Sequence, residues 1–151
     1  MLVSTLCTRD VACCNSDTSA RGMAQLMRER HVGELLVTEM IDGRLTPLGI
    51  VTDRDLVVEV MATEVSPDAM TAADLMTTSL LCVQESDAVD EAIERMAVAG
   101  VRRVPVLDVH GALVGVLSVD DVTGFLAKEL SDVGRIARRQ ISCETSLRMP
   151  L

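Results

Sequence analysis

Two short stretches carry the residues whose types and spacing suit binding chemistry. Gly49-Ile50-Val51-Thr52-Asp53-Arg54-Asp55 and Gly115-Val116-Leu117-Ser118-Val119-Asp120-Asp121 each run from a glycine through two apolar residues to a hydroxyl, with an acid three positions later. A glycine lets a ligand approach the backbone because no Cβ stands in the way. A hydroxyl at the start of a helix sits beside free N–H groups and the positive end of the helix dipole, which attract phosphate. A carboxylate one turn on has two acceptor oxygens and can hold both hydroxyls of a ribose cis-diol. Gly49, Thr52 and Asp55, with Gly115, Ser118 and Asp121, are therefore candidate nucleotide-binding residues. The same spacing is close to the S/T-x-x-E capping box, which satisfies a helix N-terminus without any ligand. Capping and binding can coexist, and spacing leaves both open.

Catalysis finds less support. Asp53 with Asp55, and Asp120 with Asp121, are neighbouring carboxylates, but no activated Ser, Cys or His accompanies them at a recognisable spacing. Five cysteines form an odd count without a C-x-x-C pair, and only two histidines are present, so no metal site is expected. Cys13-Cys14 has no basic neighbour at a helix N-terminus to lower a thiol pKa. The expectation is a non-enzyme with no required cofactor.

The bulk numbers narrow the class further. A net charge of -9 argues against nucleic acid and anionic membranes as partners, because both need clustered Lys and Arg. Apolar runs are a few residues long, far short of the roughly 20 needed to span a bilayer. The N-terminus shows no basic region followed by a long apolar one. A cytoplasmic protein with reduced thiols is expected. Phe125 is the single aromatic residue, so a bound base must lie between aliphatic side chains.

The elements that must position these residues repeat along the chain. Val11 to Cys14 reads as a strand, Asn15 to Thr18 as a helix cap, and Ala20, Met23, Ala24 and Met27 as a buried helix stripe. Strands over 34–39 and 48–51 flank the Asp42-Gly43 turn. A helix from Asp53 then turns Leu56, Val57, Val60 and Met61 inward. The second unit repeats the order: a strand at 81–83, a cap at Ser86-Asp87, and a stripe of Val89, Ala92, Ile93 and Met96. Strands over 104–108 and 113–117 follow, then a helix over 119–130 with Val122, Phe125, Leu126 and Leu130 inward. Asp17 matches Asp87, Met23 matches Ile93 and Val37 matches Leu107, all offset by 70, while Thr52 matches Ser118 with an offset of 66. The difference of four is assigned to the longer hairpin around Asp42-Gly43, since turns tolerate insertions.

This order, with G-h-h-[T/S]-x-x-D closing each unit, resembles the CBS domain, of which two in tandem form a Bateman module. Val101-Arg102-Arg103-Val104-Pro105-Val106 resembles the family segment before the second strand of the unit, and Asp74-Leu75-Met76-Thr77 its lead-in. The resemblance implies an α/β (α+β) fold of two β-α-β-β-α repeats packed about a pseudo-two-fold axis. It divides the chain into repeat 1 at 4–65, a linker at 66–73, repeat 2 at 74–130 and a C-terminal helix or tail at 131–151, polar and disordered from about Cys143. It also implies clefts for an adenosyl ligand such as AMP, ATP or S-adenosylmethionine, a homodimer, and a regulatory readout. Arg102, Arg103 and Pro105 join the candidate site by this resemblance, with the guanidiniums reaching a phosphate. The first unit departs from the pattern: His31-Val32-Gly33-Glu34-Leu35 lacks the Arg pair and the Pro, and Glu34 repels phosphate. A ligand-free dimerisation or protein-interaction module is the competing expectation.

Overall fold

Each repeat alternates a short parallel strand, a helix and a long hairpin, and the computed structural model describes residues 1–147. In the first, β1 (Cys13–Cys14) leads to α1 (Ala20–Arg30) and the hairpin of β2 (Glu34–Ile41) and β3 (Arg44–Thr52). In the second, β4 (Val83–Gln84), α4 (Val89–Ala99), β5 (Arg103–Leu107) and β6 (Leu113–Ser118) follow the same course. Each sheet has three strands, ordered β1-β2-β3 and β4-β5-β6, with the first pair parallel and the second antiparallel. Asp42 and Gly43 both take positive φ, 50° and 75°, as a tight hairpin turn requires. Cα atoms of β3 and β6 approach within 8 Å where the two repeats meet.

The repeats superpose with an offset of 69 through their first three elements, one less than the sequence matching assigned, and of 66 through β3 and β6. Glu34 pairs with Thr52 and Arg103 with Ser118; Val37 pairs with Gly49 and Val106 with Gly115. The buried helix residues obey the same offset: Ala20, Met23 and Met27 in α1 answer to Val89, Ala92 and Met96 in α4. Met23 therefore matches Ala92, and Ile93 turns outward with 38% of its surface exposed. The helix ends agree as well, with His31 and Gly100 both left-handed at the C-cap. Ser19 caps α1 by accepting the Gly22 N–H, not the cluster before it, and Ala88 begins α4 without a side-chain cap. Asp87 instead accepts the Gln84 N–H and pairs with Arg95.

The flanking segments exchange places. Val3, in a 3-10 turn at Val3–Thr5, packs into the core of the second repeat with Val83, Val89, Ala92, Val104 and Leu117. Ala72 and Leu75, from α3 (Ala72–Leu75), pack into the core of the first with Met23, Leu35, Val37 and Val51. The segment over 66–73 is thus docked on repeat 1: Arg21 pairs with Asp68 at 2.8 Å, and Ala20 N–H donates to Met70 C=O. Thr8 bridges to Val116 and Thr77 to Ile50, equivalent contacts that stitch each flank along a closing strand.

The closing helices differ. α2 (Asp53–Asp55) passes into a π-helical stretch, Leu56–Met61, and this changes which residues face the core. Val60 is buried, but Val57 and Met61 are exposed. α5 (Val119–Leu147) is a single helix of 29 residues, so the segment from Cys143 to Leu147 is helical, and the rest of the expected tail lies outside the described residues. Val122 and Phe125 are half-buried, while Leu126 and Leu130 face outward.

Candidate functional site

Both hydroxyl–acid pairs close on themselves. Thr52 donates its N–H and its hydroxyl to Asp55 Oδ2 at 2.7 and 2.8 Å, and Asp55 N–H donates back to Thr52 Oγ1. Ser118 does the same with Asp121 Oδ2, at 2.9 Å from its N–H. These are complete capping boxes, which satisfy two helix-start donors each. Asp121 also accepts Thr8 Oγ1–H through Oδ1, tying the N-terminal segment to α5. A third box, Thr71 with Asp74, starts α3 and holds the Asp74 carboxyl below the ordinary range through the Thr71 backbone and hydroxyl hydrogen bonds.

The glycines serve the exchanged flanks, which corrects the expectation of an open approach for a ligand. A Cβ on Gly49 would stand 2.6 Å from Met76 Sδ, and one on Gly115 would stand 2.8 Å from the Thr8 carbonyl oxygen. Protein already fills that space.

Two clefts open between the repeats, and each draws its walls from both. The first, of about 250 Å³, brings Thr52 and Ile50 of repeat 1 to Val101, Arg102, Arg103 and Pro105 of repeat 2, with Leu80 and Leu81 beside them. The second, of about 330 Å³, brings Ser118, Asp120 and Asp121 of repeat 2 to His31, Val32, Gly33 and Glu34 of repeat 1, together with Thr8 and Asp10. Both arginines line the Thr52 cleft, and Arg103, whose backbone pairs with Ser118 in the β5–β6 ladder, also lines the cleft of Ser118 and Asp121. Asp55, Gly49 and Gly115 line neither cleft, whereas Asp121 lines the second. Spacing within one repeat cannot show that a cleft takes its far wall from the other, so Glu34, Asp120, Asp10 and Thr77 escaped selection as site residues.

Charge separates the clefts. Two guanidiniums face one carboxylate, Glu34, in the first, while four carboxylates face Arg103 and His31 in the second. Glu34 and Arg103 are equivalent positions of the two repeats, and they meet as an ion pair at 3.2 Å. Had the repeat kept one residue type at both places, like charges would oppose each other across this junction. Arg103 also approaches Asp120 at 3.5 Å, and Arg102 approaches the same carboxylate at 3.6 Å. These groups are partly exposed, so solvent screens their pairs and each adds little to stability.

No reactive thiol joins either cleft wall. Burial pushes the thiols of Cys7, Cys13 and Cys82 up, and that of Cys14 to about 11. Among the described residues no three His, Cys, Asp or Glu side chains converge as a metal site, and no helix is long and apolar enough to cross a membrane.

The sequence model of the CBS domain matches residues 3–62 and again residues 72–128. The chain belongs to the CBS-domain family. It is 33% identical over 120 residues to the uncharacterized protein MK0525 of Methanopyrus kandleri, covering 80% of this chain and 60% of that one. It is 34% identical to hypoxic response protein 1 of Mycobacterium tuberculosis over 116 residues, covering 77% of this chain and 78% of that one. The CBS-domain protein PAE2072 of Pyrobaculum aerophilum, solved in complex with AMP, superposes with a TM-score of 0.70 at 26% identity over 80% of this chain and 89% of that one. The two mixed three-stranded sheets are thus a CBS pair.

Proposed function

We propose that this CBS pair is a regulatory module that binds a phosphate-bearing adenosyl nucleotide, such as AMP or ATP, in the Thr52 cleft and does not turn it over. The observation that carries the reading is the meeting of Arg102, Arg103 and Thr52 around an apolar wall of Ile50, Leu80, Leu81 and Pro105. Guanidinium groups give charge-assisted, bidentate hydrogen bonds to phosphate oxygens. The aliphatic wall suits a base in a chain with one aromatic residue. AMP in the related PAE2072 supports the same ligand class. The module is taken to work in the cytoplasm, with its thiols reduced.

A bound nucleotide biases the module only by the difference in its affinities for two states. We assign the readout to a homodimer formed through α5. Leu126, Leu130, Val133 and Ile136 of this helix are exposed. Its first half carries Asp120, Asp121, Glu129 and Asp132, and its second half Arg135, Arg138 and Arg139. A second copy laid antiparallel sets each basic half against an acidic half.

The test is a dye-based thermal shift and calorimetry with AMP, ADP and ATP. At 100 times its dissociation constant a ligand adds about 2.7 kcal/mol, a rise of several degrees for a domain of this size. The rise is expected to disappear in Arg102→Gln, whose unliganded melting point stays within about a degree of the parent. Product analysis after incubation with ATP is expected to recover ATP unchanged. A second reading, a ligand-free interaction module, draws on the closed capping boxes and on Glu34 and Asp120 already facing the arginines. No saturable shift with any of the three nucleotides up to millimolar concentration decides for it.

A further inference from the structure

We infer that Glu34 is a specificity-determining residue of the Thr52 cleft: its carboxylate sets how much negative charge the cleft accepts, and so selects a nucleoside monophosphate over a triphosphate. The inference rests on the reading of that cleft as a nucleotide site. Glu34 is the first residue of β2 and pairs in register with Thr52, the last residue of β3. The hairpin therefore fixes the carboxylate beside the hydroxyl assigned to a phosphate. Three charged residues line the cleft: Glu34, Arg102 and Arg103. Glu34 holds the Arg103 guanidinium at 3.2 Å, and its side chain is 26% exposed against 41% for Arg103 and 75% for Arg102. It is thus the least solvated charge in the wall, and the one whose field solvent weakens least.

Neither the fold nor stability accounts for an acid at this place. The equivalent residue of repeat 2 is Arg103, which begins β5 and pairs with Ser118 in the same way. A pair this exposed adds little to stability. Its effect falls on the ligand instead. A phosphate that reaches both Thr52 and Arg103 takes the guanidinium from Glu34 and comes to lie beside the freed carboxylate. Asp120, on the side of the second cleft, approaches Arg102 and Arg103 at 3.6 and 3.5 Å, so two carboxylates already offset the two cations. A monophosphate ester brings about two negative charges, and a triphosphate roughly twice that number. Each added charge meets the repulsion of Glu34, with no further cation among the described residues of the wall to offset it. A repulsive group of this kind weakens the accepted ligand somewhat and the rejected one more, which is how it discriminates.

Isothermal titration of the full chain with AMP and ATP decides this, in EDTA so that ATP keeps its full charge. The parent is expected to bind AMP about fivefold more tightly than ATP. In Glu34→Gln both nucleotides should tighten, ATP by about tenfold more than AMP, so that the order inverts. Glu34→Asp retains the charge and should retain the parent's order. High salt should narrow the parent's preference, because screening weakens the repulsion. A residue that only held the repeats together would shift both nucleotides alike and leave their order unchanged. Unliganded melting points of the two variants verify that they fold. ATP binding as tightly as AMP in the parent, or an unchanged order in Glu34→Gln, overturns the role of Glu34 and leaves nucleotide binding intact. Absence of binding by both nucleotides, in the parent and in Glu34→Gln alike, overturns the reading of the cleft itself.

Discussion

A hydroxyl and a carboxylate three residues apart satisfy each other before any ligand arrives, and this sets what Asp55 and Asp121 do. Both accept two hydrogen bonds from their capping residue through Oδ2. Asp121 spends its other oxygen on Thr8, so it also anchors the exchanged N-terminal segment. Asp55→Ala is expected to cost about 1 kcal/mol in urea denaturation, the ordinary loss of a cap. Asp121→Ala should cost more, by up to about another 1 kcal/mol for the lost Thr8 contact. Equal costs would show that the Thr8 link adds nothing. The T-x-x-D and S-x-x-D pairs were legible from spacing, and so was their capping use. The glycines' purpose was not legible, because the atoms that crowd Gly49 and Gly115 come from segments 27 and more than 100 residues away in the chain.

Helices carry their own register, and a one-residue slip changes which side chain is buried. The coincidence of Asp17 with Asp87 suggested an offset of 70, yet the acids play unequal parts: Asp87 bonds to Gln84 and Arg95, while Ser19 does the capping in α1. The true offset of 69 puts Ala92 at the fully buried place and leaves Ile93 at the rim. Ile93→Ser is accordingly expected to change stability by less than about 1 kcal/mol, as rim substitutions do. Ala92→Leu inserts a branched side chain where no surface is exposed and should cost about 1–3 kcal/mol by overpacking. Thermal melts of the two variants check this, and a larger loss for Ile93→Ser would restore the slipped register. Periodicity located both helices and both hairpins, since stripes of small and apolar residues recur at helical spacing. It missed the outward turn of Val57 and Met61, because the π-helical stretch of Leu56–Met61 breaks the 3.6-residue period on which that reading depends.

Across the whole molecule, two repeats that share a fold have diverged in charge at their junction, and the last helix has outgrown the pair. Within the sequence the tandem order was plain, but the exchange of flanks and the crossing of cleft walls were not, since both depend on which repeat a segment lies against. α5 presents the consequence that is easiest to measure. At 1.5 Å per residue its 29 residues extend about 43 Å, and beyond Phe125 its large apolar side chains Leu126, Leu130, Val133 and Ile136 are exposed. A lone helix with such a stripe gains by covering it. A parallel partner would set Arg135, Arg138 and Arg139 against their own copies, whereas an antiparallel one sets them against Glu129 and Asp132. Light scattering on a sizing column is therefore expected to give a dimer at tens of micromolar, and Leu130→Ser with Val133→Ser to give a monomer of unchanged helicity. Reversing Arg135 and Arg139 to Glu should weaken the dimer at low salt and do less at high salt, because screening removes a contribution between exposed charges. A dimer that survives the double serine variant would place the interface on another face, and a monomeric parent at 100 times that concentration would remove α5 pairing from the readout altogether.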